Sequence, residues 1–173
     1  MLASLPLTRP RQIIFFGTPD VAVGPLRSLV ASGISVALVV TGVDKRRGRG
    51  GDVSPSPVKK FAVELGIPIS HHVSDAIELA KNQPETLGVV VAFGHIFSAD
   101  ALAILPMINI HYSLLPRWRG AAPVERAILE GDCETGVSII QVAQQLDAGN
   151  VIAQAATNIS QTETLAELRL RLE

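Results

Sequence analysis

Three polar side chains of complementary chemistry follow predicted strands in this sequence. Asn109 and His111 stand two positions apart in the stretch NIHYSLLPRWRGAAP, and Asp147 lies further along in QQLDAG. Residues two apart on a β-strand project to the same side, so Asn109 and His111 can share one ligand. Ile108 and Ile110 then face the core on the other side. An amide can donate to a developing oxyanion while an imidazole and a carboxylate handle protons, so the set suits acyl transfer.

The sequence offers little support for a metal site or for a site that depends on cysteine. The sequence holds one cysteine, which excludes an internal disulfide and a cysteine-rich zinc site. His71, His72 and His95 show no spacing typical of metal ligands, so we expect no metal, and we expect His71 and His72 at the surface. A single histidine on a strand is more often structural, but the polar neighbours of His111 favour a functional role.

Composition places the chain among globular proteins. It has 173 residues, 47% of them hydrophobic and 18% charged, which predicts one domain. No apolar run approaches the roughly 20 residues that span a bilayer, and the first residues lack the pattern of a signal peptide, so we expect a cytoplasmic protein without membrane contact. The net charge of −1 excludes the overall basic bias of a dedicated nucleic-acid binder, so any RNA contact needs a local patch.

Apolar runs alternate with helix-spaced segments along the chain. This alternation predicts an α/β fold, a doubly wound and mostly parallel sheet covered by helices on both faces. We predict strands near 13–17, 35–42, 87–94, 107–111, 136–142 and 151–158. We predict helices at 20–33, 56–66, 75–82, 98–103 and 122–130, and a last amphipathic helix containing Leu165, Leu168 and Leu172.

Such sheets bind ligands beyond the carboxyl ends of their strands. The segments FFGTPD, VAFGHIF and NIHYSLLP follow predicted strands and are therefore candidates. FGTPD lacks the glycine spacing of a dinucleotide site, and a tight turn with Asp20 capping the next helix is the simpler interpretation. The loop from Thr41 to Pro57 is long and basic, and a solvated charged loop and a mobile phosphate-binding arm explain it equally well.

The motif N-x-H-x-S-L-L-P, followed by the aspartate of LDAG, resembles the signature of enzymes that transfer a formyl group from 10-formyltetrahydrofolate. The segments FFGTPD, SPSPVK and PRWRGAAP are similar to one branch of them, the methionyl-tRNA formyltransferases. The resemblance implies a Rossmann-like formyltransferase fold, 10-formyltetrahydrofolate as co-substrate, initiator methionyl-tRNA as partner and a monomer. A related enzyme that formylates a sugar nucleotide or a glycinamide, or an inactive remnant that binds folate or RNA, remains an alternative.

The resemblance also implies roles for individual residues. It implies three catalytic residues, Asn109, His111 and Asp147. It implies folate contacts at Ser113, Leu114, Leu115, Pro116, Phe93, Gly94 and Ile96. It implies tRNA contacts at Arg46, Arg47 and Arg49.

Two departures from the family pattern lead to further expectations. The loop VAQQLDAGN differs from its counterpart in the family, and a positive φ at Gln145 would cost on the order of 1 kcal/mol and shift Asp147. We also expect a tail at residues 1–12 and a catalytic domain at 13–173 that is truncated at its C-terminus, because relatives carry a second, tRNA-binding β-barrel domain that this sequence does not contain.

Overall fold

Runs of β-branched and aromatic residues form a central sheet in the computed structural model, which describes residues 5, 9–46 and 52–173. The strands are β1 (Gln12–Gly17), β2 (Val36–Val40), β3 (Lys45–Arg46), β4 (Val53–Ser54), β5 (Ile69–Ser70), β6 (Thr86–Val91), β7 (Met107–His111), β8 (Glu134–Gln141) and β9 (Val151–Asn158). The helices are α1 (Val23–Ala31), α2 (Pro57–Glu64), α3 (Val73–Asn82), α4 (Ala99–Ile104), α5 (Pro123–Leu129) and α6 (Leu165–Leu172).

Seven strands form one sheet in the order β5-β2-β1-β6-β7-β8-β9. The first five of these run parallel to their neighbours, whereas β8 and β9 are antiparallel additions. The chain starts in the middle at β1, moves outward to β5 and then crosses back to β6 on the other side of β1. This arrangement confirms the predicted doubly wound, mostly parallel α/β fold, and its strand order reverses direction between β1 and β6.

The core lies on both faces of the sheet. Ile13 and Phe15 of β1 pack in one cluster, with buried side chains from α1, α2, α5 and α6. Ile14 and Phe16 of the same strand pack in a second cluster, with α3 and α4. Because successive side chains of a strand alternate between faces, a strand covered on both sides must be apolar throughout, which explains the continuous run IIFF.

Local sequence signals set the starts of two helices. The Ser56 hydroxyl accepts the backbone N–H of Lys59 at 3.0 Å and Pro57 takes the first position of α2, as predicted. Thr164 and Glu167 form a capping box at the start of α6. The predicted cap at Asp20 is wrong, because Asp20 begins a 3₁₀ turn whose N-cap is Pro19 and its side chain makes no capping bond.

Three strands of two residues each are present that the sequence does not predict. The basic loop contains the two-residue strands β3 and β4, which pair antiparallel, and β5 adds a two-residue strand at the sheet edge. An ion pair of 2.8 Å between Lys59 Nζ and Asp44 Oδ1 connects α2 to the base of this β3–β4 hairpin. Arg46 lies exposed on β3, whereas Arg47 and Arg49 fall outside the described residues. In the part of the chain that the structure describes, no helix is long and apolar enough to cross a membrane.

Candidate active site

A cleft of about 1040 Å³ opens beside the point where the strand order reverses. Its walls come from the segments that follow β1 and β6, from the face of β7 and from the turn between β8 and β9. Asn109, His111 and Asp147 all line it. A cleft of this size is sufficient to bury a drug-sized ligand.

The carboxylate of Asp147 connects the other two predicted catalytic side chains. Asp147 Oδ1 lies 3.4 Å from Asn109 Nδ2, a long hydrogen bond, and Asp147 Oδ2 lies 3.7 Å from His111 Nδ1. The backbone N–H of Gly120 donates to Oδ2 at 2.8 Å. The side chains of His111 and Asp147 are each only 7% exposed. The structure therefore brings the three residues together in one polar group, in which the side chains of His111 and Asp147 are buried and Asn109 is partly buried.

Strand pairing explains how Asp147 reaches the other two residues. In the antiparallel pair of β7 and β8, Asn109 lies opposite Ile140 and His111 lies opposite Ser138. The chain therefore leaves β8 near the start of β7, and the following turn must fold back along the face of the sheet for Asp147 to contact His111. Asn109 and His111 project from this same face because they are two positions apart.

The turn between β8 and β9 has a left-handed backbone conformation at Asp147, one of the predicted catalytic residues. Asp147 has a φ of 48°, and the turn is closed by the backbone N–H of Ala148, which donates to the carbonyl of Gln145 at 3.3 Å. Gln145 does not adopt a positive φ and so carries no such cost, since Asp147 and Ala92 are the positive-φ residues other than glycine among those described. Aspartate and asparagine tolerate this left-handed conformation better than most residues. Asp147 can therefore adopt the backbone conformation of the turn and also place its carboxylate next to Asn109 and His111.

One hydrogen bond assigns the hydrogen on the His111 ring. His111 Nε2 lies 2.7 Å from the carbonyl oxygen of Trp118. Because a carbonyl can only accept, Nε2 must carry a hydrogen. In the neutral ring Nδ1 is therefore the nitrogen without a hydrogen, and it faces Asp147.

The predicted folate contacts divide into two groups. Phe93, Gly94 and Ile96 line the cleft. The Phe93 ring packs edge-on against Phe16 at 5.5 Å between centroids and stacks on the imidazole of His95 at 4.7 Å. Ile96 is 78% exposed, which leaves its side chain available to a ligand.

The second group lies outside the cleft lining. Ser113, Leu114, Leu115 and Pro116 do not line the cleft, and their folate contact stays a prediction. Ser113 is buried, and its hydroxyl bonds the backbone of Trp118 rather than facing open space. Ser138 holds the same segment by accepting the N–H of Leu115 at 3.0 Å.

Sequence reasoning missed several polar residues at the α6 end of the cleft. Arg169 forms an ion pair with Glu125 there, and Asp20 and Glu173 line the same end. Burial, and next the nearby charge of Asp20, raise the pKa of Glu173, although Arg169 opposes the shift. No sequence signal joins Glu125 to Arg169, because they lie on different helices and meet only through the packing of α5 on α6.

Two further expectations concern charge and metal. Arg46 is exposed on the hairpin and does not line the cleft. Among the residues described, no cluster of three or more His, Cys, Asp or Glu side chains could hold a metal ion.

Solved structures share this fold. The chain matches a glycinamide ribonucleotide transformylase from Symbiobacterium toebii with a TM-score of 0.76 and 20% identity, covering 94% of this chain and 80% of that one. It also matches an N-formyltransferase from Helicobacter canadensis, in complex with folinic acid and dTDP-3-aminofucose, with a TM-score of 0.71 and 19% identity, covering 93% of this chain and 58% of that one.

Sequence comparison gives a more specific relationship. The chain is 43% identical over 168 residues to the methionyl-tRNA formyltransferase of Methylococcus capsulatus, an alignment that covers 93% of this chain and 54% of that protein. The chain thus spans about half the length of the curated relatives it matches. Residues 11–173 match the sequence profile of the formyl transferase family, so the chain belongs to that family.

Proposed function

We propose that this domain transfers the formyl group of 10-formyltetrahydrofolate to the α-amine of initiator methionyl-tRNA. The observation that carries the proposal is the Asp147 carboxylate, which lies between Asn109 and His111 inside the cleft. The relatives of more than 40% identity that bear the name methionyl-tRNA formyltransferase support this choice of acceptor. Residues 13–173 would then form the catalytic domain.

The side chains match the charges that develop in such a reaction. The amine attacks the formyl carbon, a C–N bond forms, and the carbonyl oxygen becomes a tetrahedral oxyanion. Asn109 Nδ2 and a protonated His111 Nδ1 donate to that oxygen, while Asp147 accepts the proton that the amine loses. The bond between the formyl carbon and N10 of the folate then breaks, N10 takes up the proton that Asp147 accepted, and tetrahydrofolate leaves.

The aromatic and apolar side of the cleft suits the folate. We assign the folate contact to Phe93, Gly94 and Ile96, because they line the cleft that holds the polar group. The folinic acid in the Helicobacter canadensis structure supports a reduced folate as the ligand of this fold. The folate contacts of Ser113, Leu114, Leu115 and Pro116 stay a prediction, since these residues lie outside the cleft lining.

The basic hairpin is the proposed contact for the tRNA backbone. Arg46 is exposed on β3, and Arg47 and Arg49 follow it in the sequence. Arginine side chains at an exposed hairpin suit phosphate contacts, which position an RNA without selecting its sequence. We propose that the domain acts as a monomer and, because it spans about half the length of its relatives, that it binds tRNA weakly.

The experiment is a turnover assay with the purified protein, 10-formyltetrahydrofolate and methionyl-tRNA. Formylmethionine, released from the tRNA and detected by mass, is the expected product, with an initial rate that rises linearly with tRNA concentration. The variant Asp147→Asn should lose about 10²-fold or more of this rate, because it removes the proton acceptor. The exposed Asp100 lies on α4 outside the cleft, so Asp100→Asn is the matched control and should keep the parent rate.

Other outcomes would assign a different function. Binding of 10-formyltetrahydrofolate without any formylated product would contradict the enzymatic proposal and favour a binding remnant. Formylation of glycinamide ribonucleotide or of an amino sugar nucleotide, but not of methionyl-tRNA, would keep the chemistry and overturn the proposed acceptor.

A further inference from the structure

The Trp118 carbonyl that binds His111 is itself held in place. The Ser113 hydroxyl donates to this carbonyl oxygen at 3.1 Å and accepts the backbone N–H of Trp118 at 2.9 Å. Ser113 is only 1% exposed, so its hydroxyl has no competing water at the surface. The Ser113 side chain therefore holds both the N–H and the carbonyl of Trp118, the residue whose carbonyl binds His111.

The indole of Trp118 is anchored on its other side. Its Nε1–H donates to Asp132 Oδ2 at 2.8 Å, and the guanidinium of Arg117 lies 4.0 Å from the centroid of the indole ring. Arg117 also forms an ion pair with Asp132 Oδ1 at 2.6 Å. Asp132 thus accepts the indole N–H of Trp118 directly. Its ion pair with Arg117 also holds the guanidinium over the indole ring.

This arrangement matters for more than folding, because the carbonyl of Trp118 decides which nitrogen of the neutral imidazole carries the hydrogen. With that carbonyl in place, Nε2 keeps its hydrogen and Nδ1 faces Asp147. Without it, the neutral ring could carry its hydrogen on Nδ1 instead, and the nitrogen that faces Asp147 would then have no lone pair with which to accept a proton. A general acid or base must present the correct nitrogen, since a misplacement of about 1 Å already costs on the order of 10²-fold in rate.

We propose that Ser113 and Asp132 are positioning residues that act through Trp118 to keep neutral His111 in its Nε2–H tautomer. Neither side chain lines the cleft, so neither is proposed to touch substrate. The effect of the two residues on rate rests on the proposed formyl transfer, but their effect on the tautomer does not.

The direct test is the ¹⁵N NMR spectrum of the histidine side chains at alkaline pH, where the neutral rings show distinct patterns for the two tautomers. The signal of His111 is assigned by its loss in His111→Gln. The parent protein should show the Nε2–H pattern, and Ser113→Ala should show a mixture of both tautomers. In the formylation assay, Ser113→Ala should lower kcat about tenfold while changing the KM for the folate less than twofold.

A second pair of variants separates positioning from general stability. Asp132→Ala removes the acceptor of the indole N–H and should also mix the tautomers, whereas Asp132→Asn keeps an acceptor oxygen and should restore the parent pattern. Ser56→Ala is the matched control, because Ser56 is equally buried and also makes two hydrogen bonds, to Thr41 and Lys59. It should leave the tautomer of His111 unchanged.

Three results would overturn the proposal. These are an Nδ1–H pattern in the parent, a parent pattern retained in Ser113→Ala, and an equal change in Ser56→Ala. If Ser113→Ala does not fold, the two Asp132 variants carry the same test. A parent protein with the expected tautomer but no formylated product would contradict the proposed function and leave the positioning role supported.

Discussion

Asp147 Oδ2 accepts the backbone N–H of Gly120 at 2.8 Å, which ties the turn between β8 and β9 to the loop that follows β7. The same oxygen faces His111 Nδ1 at 3.7 Å. The backbone of one loop therefore holds the carboxylate of another in the position where it meets the imidazole. Two side chains that are distant in sequence are therefore placed together by a main-chain contact.

Asn109→Ala should reduce kcat for formyl transfer by about 10²–10³-fold, because it removes one donor to the oxyanion. The side chain is only partly buried and its bond to Asp147 is long, so the free energy of unfolding should change little. Rapid-quench measurement of formylated product gives the rate, and urea unfolding gives the stability. The exposed Asn82 at the end of α3 supplies the control variant Asn82→Ala. A rate for Asn109→Ala close to that of Asn82→Ala would remove the proposed role of the amide.

Ile96→Ser should weaken the binding of 10-formyltetrahydrofolate about tenfold, since burial of an isoleucine side chain contributes about 1.5–3 kcal/mol and 1.4 kcal/mol is a factor of ten. Folding should be unaffected because Ile96 is 78% exposed. Leu129 is 82% exposed and does not line the cleft, so Leu129→Ser is a control of equal chemistry. Isothermal titration calorimetry measures the affinity of both variants for 10-formyltetrahydrofolate. Equal affinities would show that the folate does not contact Ile96.

Gly149→Ala should destabilise the fold by about 1–3 kcal/mol, because the added Cβ would overlap the carbonyl oxygen of Gln141. The clash also pushes on the turn that carries Asp147, so kcat should fall as well. Gly33 offers the opposite case, with a φ of 71° and no heavy atom within 4 Å of an added Cβ. Gly33→Ala should cost about 1 kcal/mol through backbone strain and leave kcat intact. Chemical denaturation measures the stability of both variants, and the formylation assay measures their kcat. An unchanged kcat in Gly149→Ala would show that the activity does not depend on the conformation of this turn.

Acid should remove the stabilising contribution of the Asp132 carboxylate. Burial opposes its ionisation, but the hydrogen bonds from Trp118 and Arg117 prevail and lower the pKa below its ordinary value of 3.8. A lowered pKa in the folded state means that the carboxylate stabilises the protein above pH 3.8 and loses this contribution as the pH falls through the lower, folded value. The stability difference between the parent and Asp132→Asn should therefore be constant near neutrality and shrink in acid. Urea titrations across this range measure it, and a difference that grows in acid would contradict the assigned contacts.

The fold could be predicted because its signals are local. Alternating apolar and helix-spaced segments, with a serine followed by proline before α2, gave the order of the main elements. The strands β3, β4 and β5 were missed because two residues are too few to show a period. The predicted turn at Asp20 is present, but the capping role of Asp20 is wrong, because aspartate before a helix is typical of an N-cap and the sequence does not show that a 3₁₀ turn comes between.

The site was predicted in part for the same reason. Asn109 and His111 share a strand, so their common side follows from spacing alone. The approach of Asp147 depends on the pairing of β7 with β8 and on a left-handed residue in the turn, neither of which the sequence specifies by itself. Trp118 contacts His111 at the end of β7, Ser113 in its own loop and Asp132 in the loop between α5 and β8, and only the folded chain shows these contacts together.

The antiparallel register of β7 and β8 has a consequence for how this domain can change. A slip of two residues keeps every side chain on its own face but moves one strand along the other by about 7 Å. Such a slip would leave the sheet intact and carry the carboxylate out of reach of the imidazole. A change of strand register alone could therefore separate Asp147 from His111 while the domain stays folded. Such a change would be seen as the loss of the pairing between His111 and Ser138.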